Sequence, residues 1–444
     1  MYYKKELEEA TDLLNFILEH SKKIGANETS ALLSGGNGIT VSVLNSELEN
    51  IEHHQNRSIS ISLSLGKSVG NASTSDFSKE ALINTIQAAY DIAKYTADDP
   101  FSGLPEKDLL ATEFPDLALC RPWSKSIDET IEMVKLTESS GLASDKNLHS
   151  MGAEFHAMSS YFMLANSLGF MAGFPTSSVS LSASFMASRG DEKQSGSWYS
   201  SERYPENLSS PELVGKTAAD KSMSLLGAKR IATGHYPVLF ENRVAMSLWS
   251  SFLGAFTGSA QYRKTSFLLD SLHTQVLPEH IQIFEDPFIK GGFSSTAFDD
   301  EGVATQARQV IKNGVLQNYF LSSYSARKLG MQTTGHAGGS HNLFIRSDRS
   351  QNDFDGLVKK MNKGLIVTSL MGQGFNPVTG DYSRGASGFW VEHGEIQFPV
   401  QEITIAGNIK EMMMNIVAMG TDEVRVGSRS SGSILIENMM IAGV

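Results

Sequence analysis

The sequence predicts an α+β protein of two domains, an N-terminal two-layer α/β sandwich followed by a C-terminal, largely antiparallel β domain with packed helices. Three observations carry this reading. Before residue 233, stretches with helical apolar spacing are interspersed with stretches of strict two-residue alternation. From Gly234 onward the texture changes to long apolar runs separated by glycine turns. The length of 444 residues exceeds what one small core needs and fits two or three domains.

The elements follow in order. Leu7, Ala10, Leu14, Ile17 and Leu18 recur at helical spacing, so the first twenty-odd residues form an amphipathic helix that stops near Gly25. Ile39, Val41 and Val43 alternate with polar residues, and Ile59 to Leu65 alternates strictly within SISISLSLG, the pattern of a sheet with one buried face. Gly66 and Lys67 supply a turn. A helix after Asp76 puts Leu82, Ile83, Ile86, Ala89, Tyr90 and Ala93 on one side and ends before DDPFSGLP, completing a helix-meander-helix unit to about residue 110. A middle α+β segment follows, with a helix from Ile127. Its strands between Glu154 and Ala187 are broken at Asn166-Ser167-Leu168-Gly169 and at Gly173-Phe174-Pro175, and a second helix runs from Pro211 to Leu226. The domains are therefore 1–233 and 234–444. In the second, Phe389, Val391, Ile403 and Ile405 continue the alternation of an antiparallel sheet.

Composition narrows the function. Asp+Glu 49 against Lys+Arg 37 gives a net charge of -12, which opposes direct nucleic-acid binding, because phosphate contacts need a basic stripe. Arg425 and Arg429 make at most a local patch. No apolar run reaches the length of a membrane span and the N-terminus lacks a signal-peptide core, so a cytoplasmic protein with no membrane partner is expected. The single cysteine, Cys120, admits neither an internal disulfide nor a Cys-x-x-Cys pair and reads as a small buried hydrophobe.

Several motifs nearly occur. Gly66-Lys67-Ser68 lacks the earlier glycine of a phosphate loop, Gly372 and Gly374 lack the third glycine of a dinucleotide fingerprint, and there is no Gly-x-Ser-x-Gly elbow. None of the histidines forms a His-Glu-x-x-His pair. His53 and His54 read as a solvated hairpin end, with adjacent rings on opposite faces. TTGHAGGSHN, Thr333 to Asn342, sets His336 and His341 five residues apart around Gly338 and Gly339. Imidazoles so placed can ligate zinc, but two ligands make no site, and histidines in glycine-rich loops commonly bond backbone groups.

Longer segments carry a family resemblance. Met371 to Asn408, YRKTSFLLDSL at Tyr262 to Leu272, YSARKLGMQTTGHAGGSHN at Tyr324 to Asn342, and the N-terminal LENIEHHQNRSISISL closely resemble the PmbA (TldE) branch of the TldD/PmbA family, nearly end to end. The resemblance implies the two-domain TldD/PmbA-like architecture. In the TldD branch a strand feeds a helix bearing His-Glu-x-x-x-His. Its histidines and a distant cysteine hold zinc, and its glutamate acts on the bound water. The matching segment here, PVLFENRVAMSLWSSFLGAF, puts Glu241 and Met246 at the histidine positions and Asn242 at the glutamate position. A thioether is a poor zinc ligand and an amide takes no proton from water, and Cys120 precedes the domain where the family's cysteine lies. Val244, Leu248 and Phe252, with Trp249, Leu253 and Phe256, keep the helix's apolar stripe.

The resemblance therefore implies a subunit without catalytic or metal-ligating residues, partnered by a TldD-like zinc subunit and acting on peptides and small unfolded proteins, as in maturation of microcin-type peptides. It would hold extended peptide by backbone pairing, with His336, Gly338, Gly339, His341, Asp381 and Arg384 as candidate peptide or partner contacts. Asp381 and Arg384 could equally form a local turn. A homodimer of the isolated chain is the self-pairing form of such an interface. Two alternatives stand beside this reading: an autonomous metallopeptidase using His336, His341 and an acid, and a regulatory protein that binds DNA gyrase, after the family's older description.

Overall fold

Leu7, Ala10, Leu14 and Ile17 are buried along one face of α1 (Lys4–Lys23), the first element of a computed structural model that describes residues 2–444. The chain then forms β1 (Glu28–Leu44), β2 (Glu47–Leu65), β3 (Ser68–Thr74), α2 (Lys79–Tyr95), α3 (Ile127–Leu142), β4 (Leu148–Asn166), β5 (Met171–Arg189), β6 (Glu192–Glu202) and α4 (Pro211–Ser224). The strands make one sheet in the order β3-β2-β1-β4-β5-β6. Ala31, Leu33, Ile59, Ile61 and Leu63 on one face of it meet the apolar sides of α1 and α2, which is the two-layer core expected of alternating strands beside amphipathic helices. Ser78 caps α2, and the Ser126/Glu129 capping box starts α3.

Two sequence expectations change. The first hairpin turns at Asn45 and Ser46, both at positive φ, so His53 and His54 lie well inside β2 rather than at its end. His54 Nε2 lies 2.9 Å from Thr40 Oγ1, which is 3.1 Å from His156 Nδ1, a polar row across three strands. Gly173-Phe174-Pro175 does not interrupt β5. Gly173 pairs with Met163 and Pro175 with Tyr161 inside the strand. Only 11 residues of β6 lie beside the 19 of β5, so part of β5 is an edge, where proline forfeits no ladder bond.

The second unit contains β7 (Gly234–Phe240), α5 (Asn242–Gly254), α6 (Gly258–Tyr262), β8 (Ile281–Asp286), β9 (Arg308–Lys312), β10 (Val315–Leu316), α7 (Ser323–Leu329), β11 (Asn342–Ser347), α8 (Phe354–Met361), β12 (Gly364–Met371), β13 (Asp381–Glu392), β14 (Glu395–Asn408), α9 (Ile409–Met414), β15 (Ile416–Met419), β16 (Val424–Val426), β17 (Arg429–Ser431) and β18 (Ile434–Ala442). One sheet runs β10-β9-β8-β11-β17-β16, the other β14-β13-β12-β7-β18-β15. Pairing of β14 with β18 through Thr404, Ile405 and Ala406 closes the second sheet on itself. Among the described residues the strands of this unit pair antiparallel except β11 with β17 and β12 with β7. Between the sheets α5 buries Leu248, Trp249, Phe252 and Leu253, and Trp249 Nε1 donates to Ser431 Oγ at 3.0 Å.

The units are not two simple halves of the chain. One runs to Arg189 and adds Lys193–Met223 and Phe288–Thr305; the other comprises Gly190–Glu192, Ser224–Pro287 and Gln306–Val444. The excursion 288–305 packs Ala297 and Phe298 against Leu110, Ala111, Leu164 and Phe170, and Leu110 pairs with Val303. Among the described residues no helix is long and apolar enough to cross a membrane. Cys120 is half-buried rather than the small buried hydrophobe expected, and burial pushes its thiol up.

Candidate functional site

The strand-to-helix junction at residues 240–242 is where the family resemblance looks for zinc. β7 ends at Phe240, Glu241 takes the N-cap position without a side-chain cap bond, and α5 begins at Asn242. Asn242 Nδ2 donates to the Asp422 carbonyl at 2.8 Å, while its Oδ1 accepts from the Arg243 amide at 2.7 Å. Asp422 is itself held by the Ser433 amide and hydroxyl, at 3.0 and 2.6 Å. Met246, one turn on, is buried in the apolar core. An amide occupied at both ends and a core thioether do not fit a zinc site, and nothing at these two positions can accept a proton from water.

The glycine-rich loop supplies the second candidate. Gly335, Gly338 and Gly339 all adopt positive φ, a backbone only glycine takes readily, and they fold TTGHAGGSHN back on itself. His336 and His341 are thereby stacked, with ring centroids 5.3 Å apart. Their shared partner is Glu285 on β8. Because β8 pairs antiparallel with β11, Leu343 lies opposite Glu285, and the carboxylate reaches back to the residues just before that strand. His336 Nε2 donates to Glu285 Oε2 at 2.8 Å and the His341 amide donates to Oε1 at 2.7 Å. His336 Nδ1 lies 2.8 Å from Thr334 Oγ1, and His341 Nε2 donates to the Gly335 carbonyl at 3.0 Å. Arg308 Nε stands 3.7 Å from Glu285 Oε2.

Among the described residues, Glu285, His336 and His341 form the one group of three with possible metal-ligand atoms within 4.8 Å of one another. Their hydrogen bonding describes a clamp rather than a cation site. Both nitrogens of His336 are engaged, both carboxylate oxygens accept bonds, and a divalent ion would have to enter beside the Arg308 guanidinium in a buried pocket. Burial pushes the Glu285 carboxyl up, but the bond and charge of His336, with those of His341, outweigh it and leave the group below its ordinary value. Burial likewise lowers the His341 imidazole.

These directions set a pH dependence. Glu285 and His341 both bind protons more readily unfolded than folded, so each contributes stability that is lost as pH falls. The loss begins below about pH 6.5, the ordinary value of the imidazole, and deepens below 4.5, that of the carboxyl. Melting temperature against pH checks this. His341→Gln is expected to flatten the limb just below 6.5, and an unchanged slope contradicts the assignment.

The remaining candidate residues fall elsewhere. The rings of His336 and His341 point inward, so the solvent-facing part of the loop is Gly338 and Gly339. Asp381 is exposed and held locally, accepting from Thr379 Oγ1 at 2.7 Å and Asn408 Nδ2 at 3.3 Å. Arg384 is half-buried beside Tyr382; Arg384 Nε and the Tyr382 hydroxyl are buried without a hydrogen-bond partner. Burial pushes the Tyr382 phenol up to about 12 against the pull of Arg384.

Two further features were missed in the sequence. Glu285 shares the inward phase of β8 with Ile281 and Ile283, and a carboxylate on a buried strand face signals a buried partner. A cavity of about 420 Å³ opens beside the C-terminal half of α5, lined by Ser250, Gly254, Arg263, Phe267, Phe375 and Pro377 among others.

Comparison with known proteins places this architecture. Residues 30–93, 120–226 and 233–443 match the family models for domain 1, the central domain and the C-terminal domain of the PmbA/TldA metallopeptidases. The chain is 42% identical over 441 residues to "Metalloprotease PmbA" of Escherichia coli O157:H7, covering 99% of this chain and 97% of that one. It superposes with a TM-score of 0.93 and 27% identity on a Bacteroides thetaiotaomicron protein described as a candidate modulator of DNA gyrase, over 98% of this chain and 99% of the other. TldE from Thermococcus kodakarensis shares the fold, with a TM-score of 0.85 and 20% identity over 97% of this chain and 100% of the other. With all three domain models matched in order, the chain belongs to the PmbA/TldD metallopeptidase family, in its PmbA (TldE) branch.

Proposed function

We propose that this chain is the zinc-free, peptide-holding subunit of a two-component peptidase whose zinc is carried by a TldD-like partner. The observation that carries the reading is the junction of β7 and α5. The scaffold that would present ligands and a general base is intact, but Asn242 spends its amide on Asp422 and Met246 is in the core. A carboxylate in place of Asn242 would be needed to activate water.

The peptide-holding half rests on an open sheet edge. Pairing of β14 with β18 covers the outer side of β14 in the second sheet. On β12, however, only Leu365, Ile366 and Val367 pair with β7, because β7 gives way to α5; residues 368–371 keep β13 on one side and, among the described residues, no strand on the other. Ser369 and Met371 are exposed there. An extended peptide can add to such an edge by main-chain bonds, beside the helix that carries the chemistry in the zinc-bearing branch.

The experiment is zinc content and peptide cleavage of the isolated chain and of its mixture with a TldD-like protein, with native mass on both samples. Expected are little zinc and no cleavage from the chain alone, and cleavage with formation of a heteromer in the mixture. Stoichiometric zinc with cleavage by the isolated chain overturns the proposal. That outcome would favour the alternative ligand set of Glu285, His336 and His341, whose proximity is the observation on its side.

A further inference from the structure

Three guanidinium groups of the C-terminal unit, Arg263 after α6, Arg384 on β13 and Arg429 on β17, have no carboxylate partner among the described residues. Arg429 Nη1 donates to Ser250 Oγ at 2.6 Å, and its Nε is buried without a hydrogen-bond partner. Burial, with no acidic neighbour to oppose it, pulls this guanidinium below its ordinary value. Arg263 lines the cavity, and its Nε donates to the Tyr262 hydroxyl at 3.0 Å. Arg384 lies on β13, whose Tyr382 bridges to the cavity residue Phe375. In a chain carrying a net charge of -12, two cations free of acids at one cavity, Arg263 in its lining and Arg429 on Ser250, are not explained by ordinary surface pairing.

The cavity is built for a ligand with two ends. Ser259, Thr265 and Arg263 offer donors, Phe267 and Phe375 offer apolar wall, and among the described residues no acidic side chain lines it. Its volume, about 420 Å³, lies within the range of small-ligand pockets, roughly 300–1,000 Å³. Position supplies the second argument. β12 leads from its open edge at 368–371 through Gly372-Gln373-Gly374 directly into Phe375 and Pro377, which wall the cavity. A peptide laid parallel to β12 on that edge would carry its C-terminal end toward the cavity.

We propose that this cavity binds the C-terminal residue of a peptide, the free α-carboxylate meeting Arg263 and Thr265, with Arg429 behind Ser250 adding positive charge, and the side chain resting on Phe267 and Phe375. The inference rests on the reading of the chain as a peptide-holding subunit and assigns that subunit a polarity: it anchors the end of the peptide. A guanidinium and a hydroxyl distinguish a carboxylate from a carboxamide by charge-assisted hydrogen bonding.

Fluorescence anisotropy of the full chain with an N-terminally labelled short apolar peptide tests this, comparing a free C-terminal carboxylate with the C-terminal amide. The free acid is expected to bind about tenfold or more tightly than the amide, as loss of one charge-assisted contact implies. Arg263→Ala, at an exposed position, is expected to bring the acid down to the affinity of the amide without changing the amide or the melting temperature; Thr265→Val is expected to do so in part. Equal binding of acid and amide overturns the carboxylate subsite while leaving peptide holding intact. Absence of binding by either peptide at millimolar concentration also overturns the subsite, and partner-dependent cleavage then judges the broader reading separately. Inorganic phosphate provides the last arm: if it displaces the acid peptide at the same concentration as unlabelled peptide does, the cavity is a general anion site and the peptide assignment fails.

Discussion

Glu285→Ala is expected to destabilise the C-terminal unit by about 3–5 kcal/mol, the range for removing one partner of a buried charge cluster. The size follows from what the carboxylate satisfies. Its side chain and that of His336 have no exposure, and it accepts from His336 Nε2 and from the His341 amide while facing Arg308. Truncation leaves two buried donors and a guanidinium with 15% side-chain exposure lacking their common acceptor. Glu285→Gln keeps the shape and one acceptor but removes the charge, so it should fall between Ala and wild type. Urea denaturation gives the magnitude. Amide exchange gives the location, with protection lost first from residues 333–342 and from β8. A loss below about 1 kcal/mol for Glu285→Ala would show that water or a neighbour replaces the carboxylate, and the clamp would be discarded.

The same cluster shows how far the sequence can be read. TTGHAGGSHN announces itself by two histidines among glycines, and the loop they form is real, but their partner lies 51 residues before His336. Only the strand pairing of β8 with β11 joins them, and pairing across such a separation leaves no local pattern. Elements fixed by local periodicity were legible: α1, α2, the alternating end of β2, and the apolar stripe of α5 bury most of the residues their spacing selects, with Leu18, Leu65, Ile83, Tyr90 and Val244 half-buried at the margins. β1 was legible only in part. Gly35, Gly36 and Gly38 interrupt its apolar alternation, yet they continue the strand because β4 packs against their bare backbone; a Cβ at Gly36 would meet the Ser159 carbonyl at 2.6 Å. In the candidate site, Asn242 and Met246 were informative because a motif fixes what should stand there. Arg263, Ser250 and Arg429 were not, since they come from α6, α5 and β17 or their flanks and share no sequence spacing.

Arg203→Ala is expected to loosen the excursion 288–305 from the first unit, at a cost of about 3–5 kcal/mol. Arg203 is only 7% exposed and acts as a hub for main-chain carbonyls. Its Nε donates to Gly292 at 3.2 Å, Nη1 to Leu119 and Ser177 at 3.1 and 3.0 Å, and Nη2 to Phe293 at 2.9 Å. These four acceptors come from three separate stretches of chain, and a planar guanidinium can serve them together because its donors are fixed in one fork. Lysine cannot, so Arg203→Lys should recover less than half of the loss despite keeping the charge. The apolar contacts of Ala297 and Phe298 remain in both variants, which limits the damage to local opening rather than unfolding of the sheet. Limited proteolysis and amide exchange read this directly: faster cleavage and exchange are expected within 288–305, with α1 and β1 unchanged. If the segment keeps its protection in Arg203→Ala, the apolar contacts alone hold it and the guanidinium is a filler of space rather than the clasp.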